Sequence, residues 1–447
     1  MWYLGQRVQP NSPISTQQPA DNAPLTKVQK RAFLAAFLGW CFDGLDGYLY
    51  VMVAVPFVTQ LLERDYGAGL VPGAAVKEKA ALIQAVFLIG WAIGGAVFGR
   101  LGDRLGRART LTLTVLTYAT FTGLSFFATA WWHLLIFRFI AALGIGGEWA
   151  AGSALISETM PARYRTVASA ALQSGYMIGC ILACLTPWVM PPGAERYVFL
   201  VGVLPAFLTL WIRWAVPEPE GWKHASATEA TPTIGSLFRG PLAAVTLITT
   251  ALASVALTTV WAFLFFAPQL AGELAKAEPG STPQSVTNYK TWVTIAYFVA
   301  NIAANFFATW LAARIGYRRA FFFMMLASLV VFTIGFGGAK FGVPLTTTTA
   351  PVVFCLAAFC SLGLFGMFPM YIPRLYPTLV RTLGAGFTYN VGRVVSAAGA
   401  YYGGVIAAGV GYDGAIFWTG LLYVAGMLIC PFLPLPPEDA DAPQTGR

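Results

Sequence analysis

Charged residues are scarce in this sequence. Only 11% of its 447 residues are Asp, Glu, Lys or Arg, whereas 57% are hydrophobic. A water-soluble domain normally carries about a quarter charged residues, so this chain could not cover its own surface in water. The scarcity excludes a soluble enzyme, a nucleic-acid-binding protein and a disordered tail. The length accommodates about twelve membrane spans of roughly 20 residues joined by short loops.

Several kinds of functional site are excluded because the residues or motifs they require are absent from the sequence. The six cysteines all lie inside apolar segments, which predicts buried, reduced thiols rather than disulfides. The sequence contains no HExxH, G-x-S-x-G or phosphate-binding motif and no paired Cys and His ligands. It therefore predicts no enzyme, no metal site and no bound cofactor. Since only two histidines are present, a proton that crosses this protein would have to be carried by a carboxylate.

Apolar length and flanking charges predict an all-α integral membrane protein with twelve transmembrane helices. The spans are predicted at 32–62, 80–99, 109–130, 132–157, 166–189, 197–216, 241–270, 290–314, 318–339, 349–373, 382–408 and 411–434. Most of the 28 Lys and Arg residues fall on one side of this topology. The positive-inside rule places that side, and both termini, in the cytoplasm. Because the basic residues lie between apolar segments, the net charge of +9 does not indicate nucleic acid.

The chain divides into two related halves. The predicted units are a tail at 1–31, a six-helix half at 32–216, a cytoplasmic loop at 217–240, a second six-helix half at 241–434 and a tail at 435–447. Arg104 and Gly106, after the second span, are matched by Arg314 and Gly316 after the eighth. A parallel repeat of this kind predicts two pseudo-symmetric halves around a central site.

Three segments carry a resemblance to a known family. Gly99–Arg109 resembles the signature between helices 2 and 3 of the major facilitator superfamily, and Leu135–Trp149 resembles its helix-4 motif. Leu375–Arg393 is similar to the sialate and lactate proton symporter branch. In the second half, Ala313 stands where the first half has Asp103, so the second copy of this motif lacks the acidic residue. The resemblance extends over about residues 30–434 and implies a multi-pass transporter of the inner membrane that works by alternating access.

Few charged residues fall well inside the predicted spans. They are Asp43, Asp46, Arg138, Glu148 and Arg393. An ionisable group at membrane depth costs at least a few kcal/mol, so each should face a cavity or a partner. These residues are the first candidates for function.

The acidic members of this group are candidates for proton coupling. Asp43 and Asp46 share one face of the first helix, with Tyr50 one turn further. A carboxylate buried beside another one holds a proton more tightly than in water. The resemblance implies that Asp46 pairs with Arg138 and that protonation switches the pair. A permanent ion pair for helix packing is the alternative. Glu148 could relay a proton or hold the inner gate.

Arg393 is the candidate for binding an anion. It lies near mid-depth, and the second half has no acid well inside a span. Its planar guanidinium fits a carboxylate bidentately, although it could instead pair with an acid of the first half. Asn390 and Tyr389 share its helix face. Further polar candidates for the cavity are Tyr50, Gln173 and Asn301, each of which could equally bond between helices.

The loop after the second span is predicted to be a latch that holds one conformation. It consists of Gly102, Asp103, Arg104, Gly106 and Arg107. Asp103 can face a helix N-terminus and the arginines of another segment. Positive-inside anchoring would explain the arginines but not Asp103 or the glycines.

The sequence thus predicts a secondary active transporter with no cofactor other than the coupling proton. The expected cargo is a small organic anion, such as lactate, sialate or an aromatic acid, taken up with protons by a functional monomer in the lipid bilayer. A proton-independent facilitator, or a proton-coupled porter for a neutral sugar or an organic cation, is the alternative on the same fold.

Overall fold

The structure is a computed structural model that describes residues 24–186, 194–205, 233–337 and 345–436, together with residues 207, 211, 215–218, 222 and 223. All regular secondary structure in these residues is helical. The predicted sixth span, 197–216, lies largely outside the described residues, and so does most of the central loop, 217–240.

Twelve helices are labelled here in chain order. They are α1 (Lys27–Tyr66), α2 (Gly73–Leu105), α3 (Arg107–Ser125), α4 (Trp131–Thr159), α5 (Ala162–Cys184), α6 (Val198–Val201), α7 (Pro241–Lys276), α8 (Pro283–Ile315), α9 (Tyr317–Phe336), α10 (Ala350–Ser361), α11 (Arg381–Gly420) and α12 (Tyr423–Ile429). A 3₁₀ turn at Gly363–Met367 and a short helix at Phe368–Tyr371 extend α10.

The helices follow the predicted spans closely. Among the described residues, eight helical segments are long and apolar enough to cross a membrane, and α1 adds a ninth that bends by 46°. The predicted spans 109–130 and 382–408 coincide largely with α3 and the first part of α11. Gly411 has φ of +80° and breaks the helix, so Gly411–Phe432 forms the last candidate span. The twelve-helix fold class predicted from the sequence is confirmed by this arrangement together with the comparisons reported below.

Glycines allow the helices of the first half to touch through their backbones. A Cβ added to Gly146 of α4 would lie 2.0 Å from the carbonyl oxygen of Trp91 in α2. A Cβ on Gly94 of α2 would lie 2.1 Å from the carbonyl oxygen of Leu143 in α4. Small residues permit this approach in a membrane, where packing rather than the hydrophobic effect holds helices together.

The two halves meet along two helix pairs, α2 with α11 and α5 with α8. A Cβ on Gly386 of α11 would lie 2.3 Å from the carbonyl oxygen of Gly95 in α2. The hydroxyl of Ser169 in α5 donates to the carbonyl oxygen of Gly366 at 2.6 Å, and Asn305 of α8 donates to Ser174 of α5 at 3.1 Å. Residues between these two seams are therefore enclosed by both halves.

We predict that Gly146→Ala destabilises the protein, because its methyl group would overlap the Trp91 carbonyl and separate α2 from α4. Overpacking of this kind costs about 1–3 kcal/mol, and the melting temperature in detergent measures it. Gly272→Ala in α7 is the matched control, because nothing lies within 4 Å of its added Cβ. Equal melting temperatures for the two variants would contradict the prediction.

Candidate substrate and proton site

A small cavity lies between the halves. Its volume is about 40 Å³, whereas an apolar cavity that binds benzene measures about 150 Å³. Its lining residues come from α1, α2, α5, α7, α11 and the end of α10. They are Trp40, Trp91, Gln173, Tyr176, Met177, Leu257, Val260, Trp261, Leu264, Leu362, Phe365, Tyr389 and Arg393. The site is thus aromatic, and it is contracted in this conformation.

Arg393 brings a positive charge to this aromatic cavity. Its side chain is 2% exposed. The guanidinium carbon lies 3.9 Å from the ring centroid of Trp91 and 4.7 Å from that of Tyr389. Within the described part of the chain, no carboxylate lies within ion-pair distance of it, and its Nε–H has no hydrogen-bond partner. Cation–π contacts stabilise the charge only in part, so the group can accept an anion.

Asn390 orients Arg393 rather than lining the cavity. Its Oδ1 accepts a hydrogen bond from Nη1 of Arg393. Its Nδ2 donates to the carbonyl oxygens of Gly386 at 2.8 Å and Gly146 at 3.3 Å. Because the amide nitrogen is held from two sides, the oxygen is fixed toward the guanidinium.

Two buried carboxyl groups have no hydrogen-bond partner among the described residues. Asp43 of α1 is 0% exposed and Glu148 of α4 is 1% exposed, and none of their four oxygens accepts a hydrogen bond from a described residue. Glu148 packs against Gly39, where a Cβ would lie 1.6 Å from its Oε1. Glu148 and Arg393 are also the charged groups from α4 and α11 that act electrostatically on Asp43. An ionised carboxylate without a partner is very costly at this depth, and protonation removes the cost.

Asp46, by contrast, is fully paired. Its carboxylate accepts hydrogen bonds from Nη1 of Arg138 at 2.9 and 3.0 Å and from the hydroxyl of Thr122 at 2.7 Å. The guanidinium also lies 4.5 Å from the ring centroid of Phe87. The pairing that the resemblance implied is therefore present in this conformation.

The latch residues join the two halves at one end of the molecule. The carboxylate of Asp103 accepts hydrogen bonds from the backbone N–H groups of Thr382 at 3.2 Å and Leu383 at 2.8 Å, in the first turn of α11. It lies 3.2 Å from Nη1 of Arg107. The N-terminus of a helix favours an anion, so the acid bonds the first half to the second. Gly102 lets α2 approach Thr382, and Arg104 is exposed.

Other residues of the latch end were not anticipated from the sequence. Glu158, at the end of α4, binds Nη2 of Arg107 at 2.9 Å and Nη1 of Arg381 at 3.2 Å. Glu218 accepts from the backbone N–H groups of Ala108 and Arg109 at 3.2 and 3.0 Å and so caps α3. Gly106, with φ of +105°, leaves room for this carboxylate. Arg381 lies within Leu375–Arg393, one of the three segments that carry the family resemblance.

The structure divides the predicted substrate-binding residues into two sets. Arg393, Tyr389 and Gln173 line the cavity. Tyr50 does not, because its hydroxyl donates to the carbonyl oxygen of Ala80 at 3.1 Å and its ring lies beneath Arg138. Asn301 is buried in α8 and does not line the cavity. Sequence reasoning missed the indole rings of Trp40 and Trp91.

Comparison with known proteins gives the family. Residues 32–286 match the model of the Major Facilitator Superfamily. The chain is 29% identical to a probable 4-methylmuconolactone transporter of Cupriavidus pinatubonensis, covering 87% of this chain and 86% of the relative. It is 29% identical to the sialic acid transporter NanX of Escherichia coli, covering 81% and 84%.

Among solved structures, the proton:xylose symporter XylE bound to 6-bromo-6-deoxy-D-glucose has the same fold. It superposes with a TM-score of 0.74 at 18% identity, over 91% of this chain and 96% of that one. The matched family, the two relatives and the helical architecture all indicate a transporter and not an enzyme. The chain belongs to the Major Facilitator Superfamily of membrane transporters.

Proposed function

We propose that this transporter carries a small ring-bearing carboxylate together with protons. One observation carries the proposal, namely that Arg393 is buried among aromatic rings with no carboxylate at ion-pair distance in the described residues. A guanidinium in this position is stabilised when an anion arrives, and it can bind both oxygens of a carboxylate. The sialic acid and 4-methylmuconolactone relatives support a small organic anion as cargo.

The aromatic wall favours a flat cargo. Trp40, Trp91 and Tyr176 pack together, with ring centroids 5.0–6.5 Å apart. Trp91 also contacts Trp261 of α7 edge to face at 5.9 Å. Rings of these residues offer faces and edges to a planar molecule from both halves. Since the cavity holds only about 40 Å³, the halves must separate slightly to admit such a ring.

Proton coupling follows from the charges around the cargo. Asp43 acts electrostatically on Arg393, so in its ionised form it would compete with an anionic substrate for the same guanidinium. A proton on Asp43, or shared with Glu148, removes that competition. Substrate anion and proton therefore favour each other's binding. Loading both also neutralises the site before it passes the apolar gates.

The Asp46–Arg138 pair takes a different role in this proposal. Asp46 already has three hydrogen bonds that hold its carboxylate to α3 and α4, whereas Asp43 has none from the described residues. We place the coupling proton on Asp43 and Glu148 and assign Asp46 and Arg138 to holding α1 against α4. The latch at Asp103 holds the two halves together at the end of the molecule where the latch lies, as alternating access requires.

The test of the proposal is uptake into proteoliposomes with an imposed pH gradient. Lactate, sialate and benzoate are offered, with xylose as the neutral control. We expect at least one of the two ring-bearing acids, sialate or benzoate, to accumulate only with the proton gradient. Arg393→Gln should lower kcat/KM by about 100-fold, because two charge-assisted hydrogen bonds are lost. Arg319→Gln, an exposed arginine of α9, is the matched control.

Xylose uptake without uptake of any acid would contradict the proposal. Uptake of an acid at a rate independent of the pH gradient would contradict proton coupling, but it would leave the assignment of an organic acid as the substrate intact.

Asp43→Asn should separate transport from coupling. The amide cannot ionise and resembles the protonated acid, so we expect exchange of labelled substrate across the membrane to continue while proton-driven accumulation is lost. Counterflow and pH-driven uptake are measured on the same liposomes. Asp65→Asn, at an exposed acid near the end of α1, should leave both unchanged. Accumulation by Asp43→Asn at the wild-type level would rule out Asp43 as the coupling acid.

Asp103→Ala should loosen the latch end. Hydrogen bonds to a charged group are worth about 1.5–3 kcal/mol each, and this variant loses two of them. The population of molecules in which the latch end is closed should therefore fall at least about 10-fold. Pulsed EPR between spin labels at the exposed positions Val167 and Arg319 reports the separation of the halves. Asp65→Ala is the control, and identical distance distributions for the two variants would exclude a latch role.

A further inference from the structure

Four planar side chains form a column that crosses the seam between the halves. In order of contact they are Trp91 of α2, Arg393 and Tyr389 of α11, and Trp149 of α4. The guanidinium carbon lies 3.9 Å from the ring centroid of Trp91 and 4.7 Å from that of Tyr389. The rings of Tyr389 and Trp149 are stacked, with centroids 4.0 Å apart and planes 14° from parallel. The first half therefore supplies both end members of the column, and the second half supplies the two middle members.

The stacked end of the column lies between the cavity and the latch. Glu158 of α4 and Arg381 of α11 meet at the latch end, 3.2 Å apart. Tyr389 lies about 12 Å from Arg381 along α11, at 1.5 Å per residue. Trp149 lies about 13 Å from Glu158 along α4, which is nearly the same depth. Since Tyr389 also lines the cavity, the stacked pair separates the cavity from the latch end.

Separation of the halves at the latch end must break the column, because its end members and its middle members move with different halves. Tyr389 cannot follow Trp149, because Phe365 and Phe368 of its own half hold it edge to face at 6.2 and 5.8 Å. An aromatic pair or a cation–π contact changes an equilibrium by about 2- to 10-fold. The column thus adds to the latch in stabilising the closed conformation of this end.

An anion at Arg393 would weaken the column from within. A cation–π contact depends on the net positive charge of the guanidinium. A carboxylate bound to that group neutralises the charge and directs its N–H groups toward the two oxygens. The attraction of Arg393 for Trp91 and Tyr389 is therefore strongest in the empty carrier and weaker in the loaded one.

We propose that Trp149 and Tyr389 form a gate on the latch side of the cavity, and that the column keeps this gate shut until an anion occupies Arg393. The release by an anion rests on the proposed function, whereas the closing role of the stack does not depend on the cargo. The empty carrier has to break the intact column when it changes conformation, so it returns more slowly than the loaded carrier. Exchange of cargo, in which the carrier returns loaded, is then faster than net uptake.

The ratio of exchange to net uptake tests the gate. Initial uptake of labelled sialate and of labelled benzoate is measured under one pH gradient, into liposomes that are empty or preloaded with the same unlabelled acid. For the wild type we expect uptake into preloaded liposomes to be about 2- to 10-fold faster. Trp149→Leu should reduce this ratio to about one, and Trp149→Phe, which keeps a smaller ring, should give an intermediate ratio. Trp292→Leu, at a 59% exposed position of α8, is the matched control and should keep the wild-type ratio.

A second measurement needs no cargo. Pulsed EPR between spin labels at Val167 and Arg319, without any added acid, should show the population with a separated latch end rising about 2- to 10-fold in Trp149→Leu. Trp292→Leu should match the wild type. Identical distance distributions in the two leucine variants would overturn the closing role of the stack.

The remaining outcomes separate the gate from the proposed function. A wild-type ratio of one, or a ratio unchanged in Trp149→Leu, would overturn the release of the gate by an anion and leave the proposed function standing. Should Trp149→Leu fail to fold, a wild-type ratio in Trp149→Phe would overturn the inference in its place. Failure of the wild type to take up either acid would overturn the proposed function, and the EPR measurement would still decide the closing role of the stack.

Discussion

The organisation of this protein depends on one buried charge, the guanidinium of Arg393, which has no carboxylate at ion-pair distance among the described residues. It is held on the rings of Trp91 and Tyr389 and oriented by Asn390, whose amide is itself fixed by backbone carbonyls from both halves. A buried arginine in this setting is tolerable only when its surroundings stabilise it partly. The aromatic wall supplies that partial stabilisation, and in the proposed function an incoming anion supplies the rest.

The three acidic residues near the site differ in how well they are satisfied, and this difference separates their roles. Asp46 has three hydrogen bonds, whereas Asp43 and Glu148 have none from described residues. The same buried setting therefore supplies hydrogen-bond donors to one carboxyl group and leaves the other two without donors from the described residues. At the far end, Asp103 pairs with Arg107 of its own half and also accepts two backbone hydrogen bonds from α11 across the seam between the halves, so those two bonds exist only while that end is closed.

The sequence predicted the fold and the rare charges because a charge within an apolar span is conspicuous. Asp43, Asp46, Arg138, Glu148 and Arg393 stood out for this reason, and all five are buried. Tyr50 and Asn301 do not line the cavity of this conformation, since helical periodicity gives a common face but not the rotation of each helix relative to a cavity. Glu158 and Glu218 were missed because their partners are brought near them only by the packing of the helices. Trp40 and Trp91 were hidden among many aromatic residues whose pattern fits packing equally well.

The contraction of the cavity to about 40 Å³ has a consequence for molecular recognition. The ring-bearing acid of the proposed function is larger than this cavity, so under that proposal the shape of the binding pocket would belong to the complex and not to the free carrier. Part of the intrinsic affinity would be spent on separating the halves, and the observed affinity would be weaker by that amount. Selectivity would then be exercised during opening, because an acid whose contacts do not offset the separation would be rejected before it is fully bound.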